Sequence, residues 1–248
     1  MRFALKQAFL GIFFLLVACS PKLHTTEVQY LDYQISKNAP VDSAMVRFLE
    51  PYKNKMQLQM DQVIGVSVSG LFKKQPESTM GNFMVDAMKI QAEQLFQEKV
   101  DAAFVNYFGV RSNFQKGNIT IGSVYELMPF DNLVVLQVMS GKVLKQLVDV
   151  AAMEGGWPVA GIQMQIKDKK AINIKVNGKA LELEASYTVA NSDYVANGGS
   201  GCSFLKVIPQ KNRGVLLRDA IITVITERTT KGKTIDAIIE NRVSLANE

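Results

Sequence analysis

The chain is short of the residues that staple or metallate a protein. Its 248 residues include two cysteines, Cys19 and Cys202, one histidine, His24, and one tryptophan. So few cysteines exclude a disulfide-dense scaffold and any Cys-x-x-Cys zinc site. A single histidine makes the chain a poor host for the His- and Asp-rich clusters of metal hydrolases, and Ser-His-Asp or Cys-His catalysis cannot be built around it. No run of Lys or Arg is interleaved with aromatics, so no nucleic-acid polymer is expected as a partner. Arg2 and Lys6 fall in a segment expected to be removed, which leaves 26 basic against 23 acidic residues, an ordinary balance. What is present is a globular composition, 48% hydrophobic and 21% charged. A chain of this size hides roughly 70–75% of its unfolded surface, enough for a core without staples.

Residues 1–18 carry Arg2 and Lys6 and then an apolar stretch from Ala8 to Ala18. That stretch falls short of the roughly 20 residues a membrane-spanning helix needs and has the shape of a signal peptide. The junction Leu16-Val17-Ala18-Cys19 resembles a bacterial lipobox, so Cys19 is expected to carry a diacylglycerol thioether and an acyl chain, more than the two signals stable anchoring requires. Ser20 is not the aspartate associated with inner-membrane retention. The expected location is therefore the cell envelope, lipid-anchored at the outer membrane and facing the periplasm. Residues 19–40 read as a polar tether holding His24.

Residues 41–60 read as a linker-type helix capped by Asp42, with Met45, Phe48, Leu49, Tyr52 and Met56 in one stripe and Pro51 expected to kink or split it. A single domain is expected over residues 61–245. Val63 to Ser69 alternates as a strand with Ile64, Val66 and Val68 on one face. Helices are expected over Phe83–Gln97, Thr120–Leu127, Gly141–Met153 and Leu216–Ile225. Strands are expected at Ala102–Asn106, Leu133–Met139, Ile162–Ile166, Ile172–Val176 and Tyr187–Ala190, with a hairpin at Asn177-Gly178. Helices interspersed with hairpins give an α+β class, a mixed β-sheet packed with helices. Cys202 reads as a small buried residue.

Four segments in register resemble a known family: Glu77-x-x-x-Gly81-Asn82-x-x-x-Asp86-Ala87-Met88, Asn106-x-x-Gly109-Val110-Arg111, Leu127-Met128-Pro129-Phe130-Asp131-Asn132, and Asn191-x-x-Tyr194-x-x-Asn197-Gly198-Gly199-x-Gly201. Together, over about Val41 to Val243, they look like the C-terminal domain of bacterial 5'-nucleotidases and UDP-sugar hydrolases. In that family this domain binds the nucleotide, and a separate metallophosphoesterase domain holds two metal ions and hydrolyses it.

The resemblance implies that Phe130 and Tyr194 sandwich the base, a contact worth roughly 1–3 kcal/mol per base. It implies that Arg111 grips phosphate through its planar fork and that Asn106 reaches toward the same end of the ligand. Gly198 and Gly199 would let backbone approach the sugar. Lys74 stands near the place of a second phosphate-binding arginine, and Ser200 in the place of an aspartate that bonds ribose hydroxyls. Tyr107 and Phe108 stand where the family has glycines. From the residues alone, Phe130 and Tyr194 could instead fill the core and Arg111 could be a surface ion-pair partner.

The expectation is a lipid-anchored, nucleotide-binding part of a split 5'-nucleotidase. It has no cofactor or metal site of its own and works with a separate metallophosphoesterase chain that supplies divalent metals. The rivals are a non-catalytic nucleotide- or nucleoside-binding lipoprotein and a structural lipoprotein with a decayed site.

Overall fold

The computed structural model describes residues 27–32 and 39–246. The signal peptide, Cys19 and His24 lie outside the described residues, and of the tether, residues 27–32 are exposed and without regular structure. The chain divides into a unit ending at Phe48 and a unit beginning at Leu49. Helix α1, Ser43–Met60, begins in the first and runs on into the second. Asp42 caps it, its carboxylate accepting the N–H groups of Ala44 at 2.9 Å and Met45 at 3.1 Å. Of the expected kink or split at Pro51, the split does not occur, and the helix continues through the proline. Pro51 is exposed, so the carbonyl deprived of its partner can turn to water. No residue of α1 is buried. Among the described residues no helix is long and apolar enough to cross a membrane.

The second unit is an α+β fold. In order after α1 come β1 (Val63–Ser67), α2 (Thr79–Phe96), β2 (Ala102–Phe104), β3 (Gly117–Thr120), α3 (Ile121–Leu127), β4 (Leu133–Ser140) and α4 (Gly141–Met153). There follow β5 (Val159–Ala160), β6 (Ile162–Lys167), β7 (Lys170–Val176), β8 (Lys179–Ala180), β9 (Ser186–Ser192) and α5 (Asp193–Ala196). The fold ends with β10 (Gln210–Leu216), α6 (Leu217–Thr230) and β11 (Val243–Leu245). The central sheet has the order β10-β4-β9-β2-β5, a second has β11-β6-β7-β8, and β1 pairs with β3. Within the central sheet β2 runs parallel to β9, while β4 is antiparallel to β9 and to β10, so the sheet is mixed.

Alternation along the central strands divides the apolar residues into two cores. Ala103, Val134, Leu136 and Ala190 face a layer with Met80, Met84 and Met88 of α2 and Ile221 and Val224 of α6. Ala102, Phe104, Met139 and Val189 face the other layer, with Leu144 and Leu147 of α4, Trp157, and Ile162 and Met164 of β6. The period-two geometry of a strand produces this division, and each fully buried large side chain contributes roughly 1.5–3 kcal/mol.

Several local expectations needed correction. In β1 the residues turned inward are Ile64, Gly65 and Ser67, while Val63, Val66 and Val68 are exposed. A register shift between Val63 and Gly65 turns the strand over. A Cβ on Gly65 would come within 2.6 Å of Ile225, so the small residues are the ones that fit under α6. Helix α2 starts at Thr79 rather than Phe83, because Ser78 caps it by accepting the Gly81 N–H at 3.0 Å. Strands β3, β5, β10 and β11 had no periodic signal. The Asn177-Gly178 hairpin forms with both residues at positive φ, 49° and 80°, as a type I′ turn requires.

Candidate functional site

The sheet topology brings three loops to one edge. Because β2 and β9 are parallel neighbours, their carboxyl ends lie together, and because β4 is antiparallel to β9, its amino end lies there too. The loop after β2 carries Asn106, Phe108, Gly109 and Arg111, the loop before β4 carries Phe130 and Asn132, and α5 after β9 carries Tyr194. These seven residues line one cleft of about 220 Å³. The edge of a rigid sheet holds such loops in fixed mutual positions, which is what a binding site needs.

Each loop is pinned. The turn after β2 closes with the Gly109 N–H on the Asn106 carbonyl at 2.8 Å. Any side chain at Gly109 would meet Asn106 Oδ1 at 2.8 Å, so glycine leaves room for this buried amide at the cleft. The Arg111 N–H bonds the Leu127 carbonyl at 3.0 Å, and its guanidinium lies 5.9 Å from the centre of the Phe130 ring. Phe130 is 39% exposed and Tyr194 48% exposed, so both rings stand at the cleft with accessible surface rather than filling the core.

Of the residues singled out from sequence, Asn106, Arg111, Phe130 and Tyr194 come together. Gly198, Gly199, Ser200 and Lys74 do not line the cleft. Gly199 packs beneath the Tyr194 ring, where any Cβ would fall well inside contact distance, and the Ser200 N–H donates to the Tyr194 hydroxyl at 3.3 Å. These two residues fix the tyrosine from behind. Gly198 adopts φ +92° and turns the chain out of α5. Lys74 is exposed, and the lysine beside the site is Lys73, the neighbouring position on the irregular segment before α2. Its ammonium donates to the Val110 carbonyl at 2.8 Å and sits 3.9 Å from the centre of the Tyr107 ring and 5.7 Å from that of Phe108. Burial first, and then the Arg111 charge, holds its pKa below the ordinary lysine value.

Phe108 stands where the family has a glycine. It is 60% exposed and forms a third aromatic wall, edge-on to Tyr107 at 5.4 Å. Asn132 lay inside a quoted motif and had no assigned role.

The cleft offers aromatic faces, amides and one guanidinium. Its lining holds no carboxylate, imidazole, thiol or aliphatic hydroxyl to serve as nucleophile or general base. Among the described residues no group of three or more His, Cys, Asp or Glu side chains is placed to hold a metal ion, so these residues do not fit the family's pair of metals. The nearby carboxylates are engaged in structure, Asp193 on backbone N–H groups and Asp131 on Arg218. The arrangement suits a flat ring with an anionic tail.

The family model of the 5'-nucleotidase C-terminal domain matches residues 60–207. A 5'-nucleotidase of Vibrio cholerae is 32% identical over 64% of this chain and 30% of its own length. Protein UshA of Salmonella pullorum is 30% identical over 63% of this chain and 29% of its own. The chain thus spans less than a third of these curated relatives. The crystal structure of a 5'-nucleotidase precursor from Thermus thermophilus superposes with a TM-score of 0.70 at 27% identity, covering 85% of this chain and 44% of that one. By sequence and by fold, this chain belongs to the 5'-nucleotidase C-terminal domain family.

Proposed function

We propose that this chain is the nucleotide-binding part of a split 5'-nucleotidase, anchored in the cell envelope through lipid on Cys19. It presents nucleotide to a metallophosphoesterase unit carried on another polypeptide. The observation that carries this reading is the convergence of Arg111, Phe130 and Tyr194 from three separate loops on one cleft. Phe130 and Tyr194 supply stacking faces for the base and Arg111 a fork for phosphate oxygens. Asn106 and Asn132 supply amides for sugar hydroxyls. Binding in this way removes motion of the ester before the chemical step, a contribution made by positioning alone. The breaking of the P–O bond is assigned to the partner. Helix α1, read from the sequence as a linker-type helix, is the proposed docking element. Phe108, which lines the cleft, supports a second reading in which the chain is a structural lipoprotein whose site has decayed.

The test is phosphate release from nucleoside monophosphates by the purified chain, by a metallophosphoesterase unit of the family, and by the two together. Release that requires both, and falls on Arg111→Ala, supports the proposal. Release by the chain alone contradicts it.

A further inference from the structure

Behind the Phe130 loop lies a charged group that binding itself does not use. Arg218, the second residue of α6, is 7% exposed. Its Nη1 donates to the Phe130 carbonyl at 3.4 Å and its Nη2 to Asp131 Oδ1 at 2.9 Å, while its guanidinium lies 4.2 Å from the centre of the Tyr125 ring. The adjacent Leu217 N–H donates to the Asn132 carbonyl at 2.8 Å. The first two residues of α6 therefore hold three consecutive residues of the loop that presents Phe130.

The helix dipole and the ion pair give little reason for an arginine there. A cation in the first turn opposes the helix dipole, and the Arg218 Nε is buried without a hydrogen-bond partner. Its ion pair contributes little, because the Asp131 side chain is 81% exposed and screened by water. What the arginine does achieve is geometric. A planar fork, seated over the Tyr125 ring, bonds the carbonyl of the residue whose ring walls the cleft.

We infer that Arg218 is a positioning residue for ligand recognition, setting the orientation of the Phe130 ring opposite Tyr194 so that a flat heterocycle fits between them. This rests on the nucleotide reading of the cleft for its binding consequence. The mechanical half, the pinning of residues 130–132, stands apart from it.

The experiment uses the full chain and the variants Arg218→Met, Arg218→Lys, Phe130→Ala and the Arg218→Met/Phe130→Ala double. Methionine keeps much of the packed stem and removes the donors. In ligand-free protein, amide exchange at Leu133 and Leu217, whose N–H groups bond Asp193 and the Asn132 carbonyl, is expected to rise about tenfold in Arg218→Met, with α2 amides unchanged, since loss of a pin opens the loop locally. Unchanged exchange at the loop overturns the proposal whatever the protein binds. In titrations with adenosine monophosphate, Arg218→Met is expected to weaken binding about tenfold in the wild-type background and less than about twofold in Phe130→Ala, with Arg218→Lys between. Equal losses in both backgrounds overturn it as well. If wild type binds no nucleotide, the functional reading fails and the exchange result alone decides the positioning role.

Discussion

Asp193 at the start of α5 accepts the backbone N–H of Leu133 at the head of β4, at 2.9 Å, and the same oxygen accepts the N–H of Tyr194 at 2.9 Å. One carboxylate oxygen thus ties the loop that presents Phe130 to the helix that presents Tyr194. Replacing it by alanine leaves two N–H groups without their acceptor. Asp193→Ala is expected to lower stability by about 1–3 kcal/mol and to weaken nucleotide binding further than that loss explains, while Asp193→Asn, which keeps one acceptor oxygen, is milder on both. Denaturant midpoints and titrations of the same preparations check this.

The Tyr194 ring lies directly on Gly199. Gly199→Ala pushes the ring forward into the cleft, a forced displacement of the kind that costs about 1–3 kcal/mol in packed sites. The expected outcome is a fold that persists with a stacking site that is narrowed, read as lost affinity for nucleotides and unchanged secondary structure by circular dichroism.

Phe108 walls the cleft on the same loop as Arg111. Phe108→Gly opens the tail end of the site, so the affinity for a nucleoside diphosphate relative to the monophosphate is expected to rise. A ratio that stays fixed shows that the ring is not in the path of the phosphates.

Cys202 is fully buried, and burial first, then the Glu154 carboxylate, pushes its thiol from 9.0 up to about 12. A raised native pKa means the folded state holds the proton longer than the unfolded state. The stability it contributes is whole below 9.0 and is lost as pH climbs toward about 12. In native protein at about pH 8 the thiol is expected to resist alkylation and to react only on unfolding, which mapping of the Cys202 peptide by mass spectrometry checks.

The parts of this molecule that the sequence foretells are those governed by local periodicity and motif spacing. Gly141–Met153 was legible because its apolar face repeats at helical spacing, and the Asn177-Gly178 turn because both residues tolerate positive φ. β10 was illegible, since Gln-Lys-Asn-Arg has no apolar alternation and pairs as a polar sheet edge. In β1, Ile64, Val66 and Val68 were read as one face, but of the three only Ile64 is buried, because the strand's register shifts and the small Gly65 takes the place under α6.

At the site, Arg111, Phe130 and Tyr194 were singled out through the resemblance of four segments to a known family, and the fold brings them to one cleft. Lys74 was singled out one position from Lys73, since spacing from a helix cannot say which of two adjacent lysines an irregular segment turns inward. Asp193 and Arg218 act through backbone groups of other loops, a relationship that exists only after folding.

The central claim is that these three side chains form one binding site. Calorimetric titration of wild type, Arg111→Ala and Phe130→Ala with adenosine monophosphate and with adenosine tests it most directly. The account predicts that wild type prefers the monophosphate and that Arg111→Ala loses that preference while still binding adenosine. Phe130→Ala should weaken both ligands alike, by roughly 1–3 kcal/mol. Identical affinities in all three proteins, or no binding by wild type, would contradict it.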